Sequence, residues 1–552
     1  MRPGAVLKIV IAEKVSPATL AILKKEPGWN VVTADQITDL PAELADADAL
    51  IVRSAVQADA KLLAAAPKLR IIGRAGVGVD NIDAAAATHR GIVVMNTPGA
   101  NAVAVAELTL GLMLSMVRSI PRANASMHAA KWDKKTLQGS ELRGKTLGIV
   151  GCGRIGLEVA KRAKAFGMKL IGYDPFIAPV IARENDVTLV PIDEIFSESD
   201  FLSLHVGLTP QTEGLINKHS IAIMKKGVRI VNCARGELIV DDALAEAIAS
   251  GHVAGAALDV FRQEPLKDSP YFALDNVLLS PHIAGSTDEA QEAIGIQLAN
   301  QVRDYLKLGV VQNAVNVASL SEEEYGEVSP YIEMADRLGK LLGHAAGAEK
   351  TDSSCAATNI ESIKLTYNGR LAQLKTDLIR NAAIAGVLQG SDAVNRINAA
   401  AAAEERGIRL QEDKREQVAG GTGATLRLAL RWICGGEQGD WTGTATVLHG
   451  QSPRLLSYDG IDIEAELSGT LVIIRNQDVP GVIGRIGTIL GEAKLNIANF
   501  ALGRSRENTG HALAVVQLDI PEAAQTELDK AIQDLREVES ITSVRVVQLG
   551  KL

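Results

Sequence analysis

The chain has few cysteines, no apolar run long enough to cross a bilayer and no excess of positive charge, and each shortage closes off a class of function. Four cysteines in 552 residues, Cys152, Cys233, Cys355 and Cys434, stand far apart with no CxxC or zinc spacing. That argues against a disulfide framework and a metal site, and free reduced thiols are expected. The longest apolar stretch, Leu108 to Val117, is about half of the roughly 20 residues a spanning helix needs. The amino terminus, MRPGAVLKIVIAEK, runs directly into a strand pattern instead of a signal-peptide segment, so a cytoplasmic location is expected. With 57 Lys and Arg against 66 Asp and Glu, and a net charge of −9, no general basic field faces nucleic acid or membrane. Any anionic ligand must be held by local arginines.

What is present is a long chain of ordinary soluble composition, 47% hydrophobic and 22% charged, too long for one core and divided into several domains. It is organised around LGIVGCGRIGLEVAKRAKAFGMKLIGYD, Leu147 to Asp174, which reads as strand, glycine turn, helix, strand and acid. Gly151 allows the tight turn, Gly153 lets the backbone approach a pyrophosphate, and Gly156 lets helix and strand pack closely. Free N–H groups at the helix start then face the phosphates. A bare GxGxxG is common by chance. Here it follows a strand, opens a helix and is answered about 20 residues later by Asp174, whose carboxylate can accept both ribose hydroxyls. A carboxylate there repels a 2′-phosphate, so NAD is expected over NADP.

Short apolar runs at Leu7–Ile11, Val31–Val32, Ala49–Val52, Leu69–Gly73 and Ile92–Met95 alternate with amphipathic stretches, the rhythm of a parallel α/β sheet. Further strands are expected at Phe201–His205, Val228–Asn232, Ala254–Leu258 and Val277–Ser280, making a second doubly wound sheet. The helix from Thr287 to Leu306 is expected to return the chain to the first domain, which is then discontinuous, 1–98 with 286–317, around a dinucleotide domain at 99–285. SEEEYGE, Ser321–Glu327, reads as an acidic connector. Beyond it, 318–467 is expected to be α+β, with a strand at Ser362–Tyr367, helices at Ala372–Leu388 and Ala393–Arg406, and strands at Thr425–Ile433 and Gly443–Leu448. The last segment, 468–552, reads β-α-β-β-α-β, with helices at Ile483–Ala493 and Glu522–Asp534, the ferredoxin-like order.

Three residues on strand-end loops of the second domain suit one reaction: Arg235 in NCARGE, Glu264 in LDVFRQEPL and His282 in SPHIAGST. Hydride transfer from a secondary alcohol needs a base for the hydroxyl proton, and histidine titrates in the right range. A neighbouring carboxylate stabilises the imidazolium, and a guanidinium fork holds a 2-hydroxy acid by its carboxylate. Singly, each has an ordinary alternative: a loop histidine, a turn cap, a surface ion pair. Together on successive strand ends they form a candidate site.

In order and spacing, GRAGVGVDNID, NTPGANAVAVAE, GCGRIG, CARGE, LDVFRQEPL and PHIAGSTDEAQ resemble the motifs of the D-isomer-specific 2-hydroxyacid dehydrogenases, in particular the long forms that act on 3-phosphoglycerate. The resemblance implies that Arg235, Glu264 and His282 are catalytic. It places NAD against Gly151, Gly153, Arg154, Ile155, Gly156, Asp174, Cys233, Ala234, Arg235, Asp259, His282, Ile283, Ala284 and Gly285. It places the substrate against Arg53, Ser54, Arg74, Gly76 and Asn101, where two arginines suit two anionic ends. Trp132, in KWDKKTLQGSEL, is expected either at a partner subunit or in the core, and a dimer or tetramer is implied. The terminal unit resembles an ACT domain, with Asn476, Asp478 and Asn496 as effector residues and L-serine as the implied effector. The activity implied is NAD-dependent oxidation of 3-phospho-D-glycerate to 3-phosphohydroxypyruvate in serine biosynthesis. Two other readings stand beside it: a reductase of hydroxypyruvate or glyoxylate, and a dinucleotide-sensing binding protein.

Overall fold

The computed structural model describes residues 6–318, 320, 322–347, 359–389, 394–416, 423–434, 437–505, 510–520 and 524–550. Cys355, Ser321, Ala393 and Glu522, on which expectations above fall, lie outside them. Four sheets organise the chain. The first contains β1 (Leu7–Ile11), β2 (Trp29–Val32), β3 (Ala49–Val52), β4 (Ile71–Arg74) and β5 (Val93–Met95), all parallel in the order β2-β1-β3-β4-β5. Covered on both faces, its strands are near-continuous apolar runs, and every residue of β3 is buried. One face packs on Leu44, Leu63 and Ala87, the other on Ile294, Leu298, Val302 and Leu306. Those four belong to the helix Asp288–Leu308, so the chain does return to its first domain. A Cβ at Gly295 would lie 2.2 Å from the Ser16 hydroxyl, which is how closely that helix meets Pro17–Leu23.

The second sheet contains β6 (Thr146–Val150), β7 (Lys169–Tyr173), β8 (Thr188–Leu189), β9 (Phe201–Leu204), β10 (Val228–Asn232), β11 (Val253–Leu258) and β12 (Val277–Leu279). Their order, β12-β11-β10-β9-β6-β7-β8, reverses direction of winding beside β6, the switch point at which such sheets bind ligands.

The third sheet is mixed: β13 (Asn359–Asn368), β14 (Arg409–Arg415), β15 (Thr425–Cys434), β16 (Glu437–Leu448), β17 (Ser452–Tyr458) and β18 (Ile461–Glu466), in the order β14-β13-β15-β16-β17-β18. The expected acidic connector is corrected. From Glu322 the chain is already in a helix that runs to Gly347, because acids in a first turn favour the positive end of the helix dipole. Gly339 and Gly386 let this helix approach Asp377–Val387 closely; a Cβ at Gly339 would sit 2.2 Å from Ala383 O. Where a helix was expected from 393 to 406, only Ala399–Glu405 is α-helical, and 394–398 docks on the first domain. β14, RLQEDKR, gave no apolar alternation because it is an edge strand and largely exposed.

The fourth sheet contains β19 (Gly469–Gln477), β20 (Asn496–Arg504), β21 (His511–Asp519) and β22 (Ile541–Gly550), in the order β20-β21-β19-β22. With helices Val482–Glu492 and Gln525–Arg536 between the strands, this is the ferredoxin-like arrangement. One face packs on its own helices through Val472, Ile486, Val516 and Leu528. The other contributes Leu471, Ile473, Leu513 and Val547 to the core of the preceding domain. Among the described residues, no single helix is long and apolar enough to cross a membrane.

Candidate active site

β10, β11 and β12 are neighbours, and the loops at their carboxyl ends carry Arg235, Glu264 and His282. With strands ~4.8 Å apart, the three loops share one short stretch of sheet edge. The catalytic candidates are drawn together by hydrogen bonds. Nδ1 of His282 lies 2.7 Å from Glu264 Oε2, and the other carboxylate oxygen accepts the Phe261 N–H at 3.0 Å. A carboxylate so held keeps the ring proton on Nδ1 and leaves Nε2 as the basic nitrogen. His282 itself has φ 52°, a left-handed conformation that costs a bulky side chain energy and needs outside support. Asp259 supplies it. Fully buried, its carboxylate accepts the Ile283 N–H at 3.0 Å, the Ala284 N–H at 2.8 Å and the Ser280 hydroxyl at 2.6 Å. The structure therefore gives Asp259 the work of shaping the histidine turn.

Arg235 is presented by Asn232, whose amide donates to Arg235 O at 2.8 Å and accepts the Ala234 N–H at 3.0 Å. Its Nε reaches Asp80 Oδ2 in the first domain at 2.8 Å. A Cβ at Gly78 would lie 1.6 Å from its Nη2, so that glycine makes room for the guanidinium. On the first sheet, β1, β3, β4 and β5 are adjacent, and their ends carry Glu13, Arg53 with Ser54, Arg74 with Gly76, and the segment leading to Asn101. Glu13 accepts N–H groups from Arg53 at 2.8 Å, Ala55 at 3.2 Å and Val56 at 3.1 Å. From the opposite side, Asn81 donates to Arg53 O at 3.0 Å and Val56 O at 2.7 Å. This clamp fixes the backbone that carries Arg53 and Ser54.

Arg74 is half-buried. Burial, and then the like charges of Arg235 and Arg53, pull its pKa down to about 10, partly offset by Asp80 and Glu13. Three buried polar atoms nearby, Arg74 Nε, Thr97 Oγ1 and Asn101 Oδ1, have no partner among the described residues. Buried polar groups are normally satisfied, so the Arg74 guanidinium and the Thr97 hydroxyl offer donors and charge that suit a small polyanion, while Asn101 Oδ1 can only accept, as from a ligand hydroxyl.

The residues expected to hold a dinucleotide stand at the strand ends of the second sheet. A Cβ at Gly151 (φ 94°) would meet His205 O at 2.5 Å, and one at Gly156 would meet Gly151 O at 2.0 Å, whereas one at Gly153 would meet no protein atom within 4 Å. Turn, close packing and open approach therefore fall on the three glycines as their spacing predicts. Asp174 accepts the Cys152 N–H at 2.9 Å on one oxygen and the Phe176 N–H at 2.8 Å on the other, which leaves lone pairs on both for ribose hydroxyls. Arg154, at the helix start, donates to Pro98 O where the chain crosses between domains, and Ile155 follows it. Gly285 lies against Asn101: a Cβ there would be 3.1 Å from the amide nitrogen. Burial pushes the thiols of Cys152 and Cys233 up to about 12, so both are inert liners. These features fit a bound NAD. Glu13, Asp80, Asn81, Thr97 and Asn232 were not singled out from sequence. Asp80 and Asn81 lie inside GRAGVGVDNID, but Glu13 has no signal beyond following a strand.

Of the effector candidates, Asn476 is buried at the end of β19 with Oδ1 unpartnered among the described residues. Asp478 pairs with Arg504 at 2.9 Å. Asn496 bonds Asp519 at 3.0 Å. Asn476 stands opposite Ala512 and Asn496 opposite Asp519, at the two ends of β21, about 23 Å apart at ~3.3 Å per residue. A single chain does not bring them together. Trp132 is 80% exposed, which removes the core alternative for it.

Residues 110–284 match the NAD-binding domain of D-isomer specific 2-hydroxyacid dehydrogenases, 327–458 the D-3-phosphoglycerate dehydrogenase intervening domain, and 470–540 the ACT domain. D-3-phosphoglycerate dehydrogenase of Methanocaldococcus jannaschii is 39% identical over 98% of this chain and 100% of its own length. That of Bacillus subtilis is 37% identical over 98% and 99%. Among solved structures, a glyoxylate reductase from Paecilomyes thermophila aligns with TM-score 0.52 and 31% identity over 56% of this chain and 98% of its own. D-Lactate dehydrogenase from Aquifex aeolicus, complexed with NAD and lactic acid, aligns with TM-score 0.50 and 29% identity over 56% and 100%.

Proposed function

We propose, on the premise that this chain belongs to the D-isomer-specific 2-hydroxyacid dehydrogenases in their long D-3-phosphoglycerate dehydrogenase form, that Arg235, Glu264 and His282 are its catalytic residues. The reaction is NAD-dependent oxidation of 3-phospho-D-glycerate to 3-phosphohydroxypyruvate, the first step of L-serine biosynthesis. NAD, when bound, supplies the hydride acceptor. His282 Nε2 takes the proton of the substrate's C2 hydroxyl, and Glu264 stabilises the imidazolium so formed. Arg235 holds the carboxylate and polarises the oxygen that becomes the ketone. Arg53 and Arg74, with Ser54, Gly76 and Asn101, receive the remaining anionic end. The observation that carries this reading is the 2.7 Å His282–Glu264 pair on the same sheet edge as Arg235. The arginine-rich first-domain wall favours phosphoglycerate over the monoanions hydroxypyruvate and glyoxylate.

On this reading 1–98 with 286–317 bind substrate, 99–285 bind NAD, 318–467 intervene and 468–552 regulate, in a cytoplasmic homo-oligomer. The ACT domain's ligand is L-serine, held between two copies: Asn476 and Asp478 from one and Asn496 from the other, which their separation within one chain supports. NADH absorbance, followed with purified protein, NAD and 3-phospho-D-glycerate with and without L-serine, tests both halves. Turnover suppressed by serine is expected. Turnover indifferent to serine would reduce the ACT domain to assembly or another ligand, and no turnover in either direction would overturn the catalytic assignment.

A further inference from the structure

The first domain and the intervening domain meet over a cleft of about 700 Å³, well within the range of small-molecule sites. Apolar wall comes from both sides, Leu308 and Val311 from one domain and Leu378, Ala385 and Val394 from the other. Its charges are unequal. Asp336 pairs with Lys340 at 2.9 Å and with Arg396 at 3.2 Å, and Arg396 also meets Glu333 at 3.1 Å. The remaining cation is Arg70. Its guanidinium lies 5.8 Å from the centroid of the Tyr305 ring and, among the described residues, has no carboxylate within ion-pair distance.

We propose that this interdomain cleft is an effector site for a small monocarboxylate with an apolar or aromatic body, separate from the ACT site. The carboxylate pairs with Arg70, and the body lies along Tyr305, Leu378 and Val394. Lys340 and Arg396 are already taken up by ion pairs with Asp336 and Glu333, so among the described residues Arg70 is the one lining cation left for a ligand, and a single anionic group is what the cleft matches.

The cleft is placed to be felt at the catalytic edge. Arg70 immediately precedes β4 and Arg74 ends it, about 13 Å away along one rigid strand. The helix Asp288–Leu308 begins just beyond the His282 turn and ends in the cleft with Tyr305 and Leu308, a span of ~31 Å at 1.5 Å per residue. The two domains are also latched there. Asn395 donates to Gly91 O and Asn398 to His89 O, each at 3.0 Å, and the Tyr325 hydroxyl donates to Leu308 O at 3.2 Å. Gly91 and Asn395 both line the cleft, so an occupant braces the latch.

Calorimetric titration of the full chain with 3-phenylpropionate tests the site without using turnover, and so independently of the catalytic reading. Binding is expected, with 3-phenylpropanol, the neutral analogue, at least tenfold weaker. Arg70→Met should weaken 3-phenylpropionate tenfold or more, Ala385→Trp should block it by filling the cleft, and Arg53→Met should leave it unchanged. Hydrogen exchange at Gly91 and 394–398 should slow on binding. Absence of heat, heat unaffected by Arg70→Met or by Ala385→Trp, equal binding of the alcohol, or loss of binding in Arg53→Met, which would put the probe in the catalytic cleft, each overturns the proposal. Should Arg70→Met fail to fold by circular dichroism, Arg70→Gln replaces it.

Discussion

The two halves of this chain join their domains in opposite ways. In the catalytic half, the first domain and the dinucleotide domain have separate cores and touch across the cleft through polar contacts such as Arg235–Asp80 and Arg154–Pro98. In the terminal half, one face of the ACT sheet completes the core of the intervening domain. Arg337, buried at that junction, donates to Leu467 O at 2.9 Å and Gly550 O at 3.2 Å. Trp441 lies between Arg475 and Arg545, 5.2 and 4.5 Å from its ring. Polar contacts at a wet surface can be remade as substrate enters, because each exchanges for water at little net cost. A shared core cannot part without exposing apolar surface at about 25 cal/mol per Å². The polar junction of the catalytic pair therefore resists separation less than the shared core of the terminal pair does.

If the two halves hold together as described, they should be separable at residue 318 and not at 467. His282→Ala should lower kcat about 10³-fold, the scale of a lost general base. A chain ending at residue 318 should keep kcat within a few-fold, while one ending at 467 should be insoluble or poorly folded because the face that packs the ACT sheet is uncovered. Steady-state NADH formation and solubility of the three proteins check this. A dead 1–318 fragment, or a well-behaved 1–467 fragment, would contradict the division.

Next in size is Arg337→Ala. It removes the ion pair with Glu333, 2.8 Å, and strips two junction carbonyls of their donor, so the terminal half should lose about 2–4 kcal/mol. Denaturant unfolding should show the loss, and turnover without serine should be unchanged. Asp80→Asn acts on the other interface. Arg235–Asp80 is one of the contacts across the catalytic cleft, and Asp80 is largely exposed, so stability should fall by no more than about 1 kcal/mol. The Michaelis constant for phosphoglycerate should shift several-fold while that for NAD stays put. Equal shifts in both would mean that Asp80 only supports the fold.

How far these contrasts were legible beforehand depends on the interaction involved. Local pattern carried the parallel sheets, since β3 is a continuous apolar run and β9 is one broken only by Ser203, and spacing carried the glycine turn, where each of three positions has one geometric duty. The candidate trio was visible because its members follow successive expected strands; that those strands lie side by side came with the fold. What stayed hidden was held by partners distant in sequence. Glu13 is an unremarked acid until the loop it clamps, Arg53–Val56, is folded back over it. The helix from Glu322 looked like a connector because its opening is polar, and its buried face, Leu338, Leu341 and Leu342, only acquires meaning against the strands it covers. The ACT sheet's second apolar face could equally have been read as a dimer surface, since alternation in a strand says that a face is buried and not against what.

A further difference between the halves is expected in their response to pH. His205 sits on the loop after β9, where its carbonyl crowds the position a Cβ would take at Gly151, and its Nε2 is 2.7 Å from the Ser203 hydroxyl. Burial lowers its pKa from 6.5 to about 4, so the folded ring stays neutral where the unfolded ring takes a proton. Between those values the unfolded chain binds more protons, and stability must rise with pH. The contribution is full above pH 6.5 and declines as pH falls towards 4. Because the halves have separate cores, only the catalytic half's unfolding transition should carry this slope. Thermal melts across that range should show its midpoint falling with acid, and His205→Gln, which keeps a hydrogen-bonding side chain without the titration, should flatten the fall. An unaltered slope in the variant would place the acid sensitivity elsewhere. A terminal transition that moved in step with the catalytic one would show that the two halves unfold as one unit.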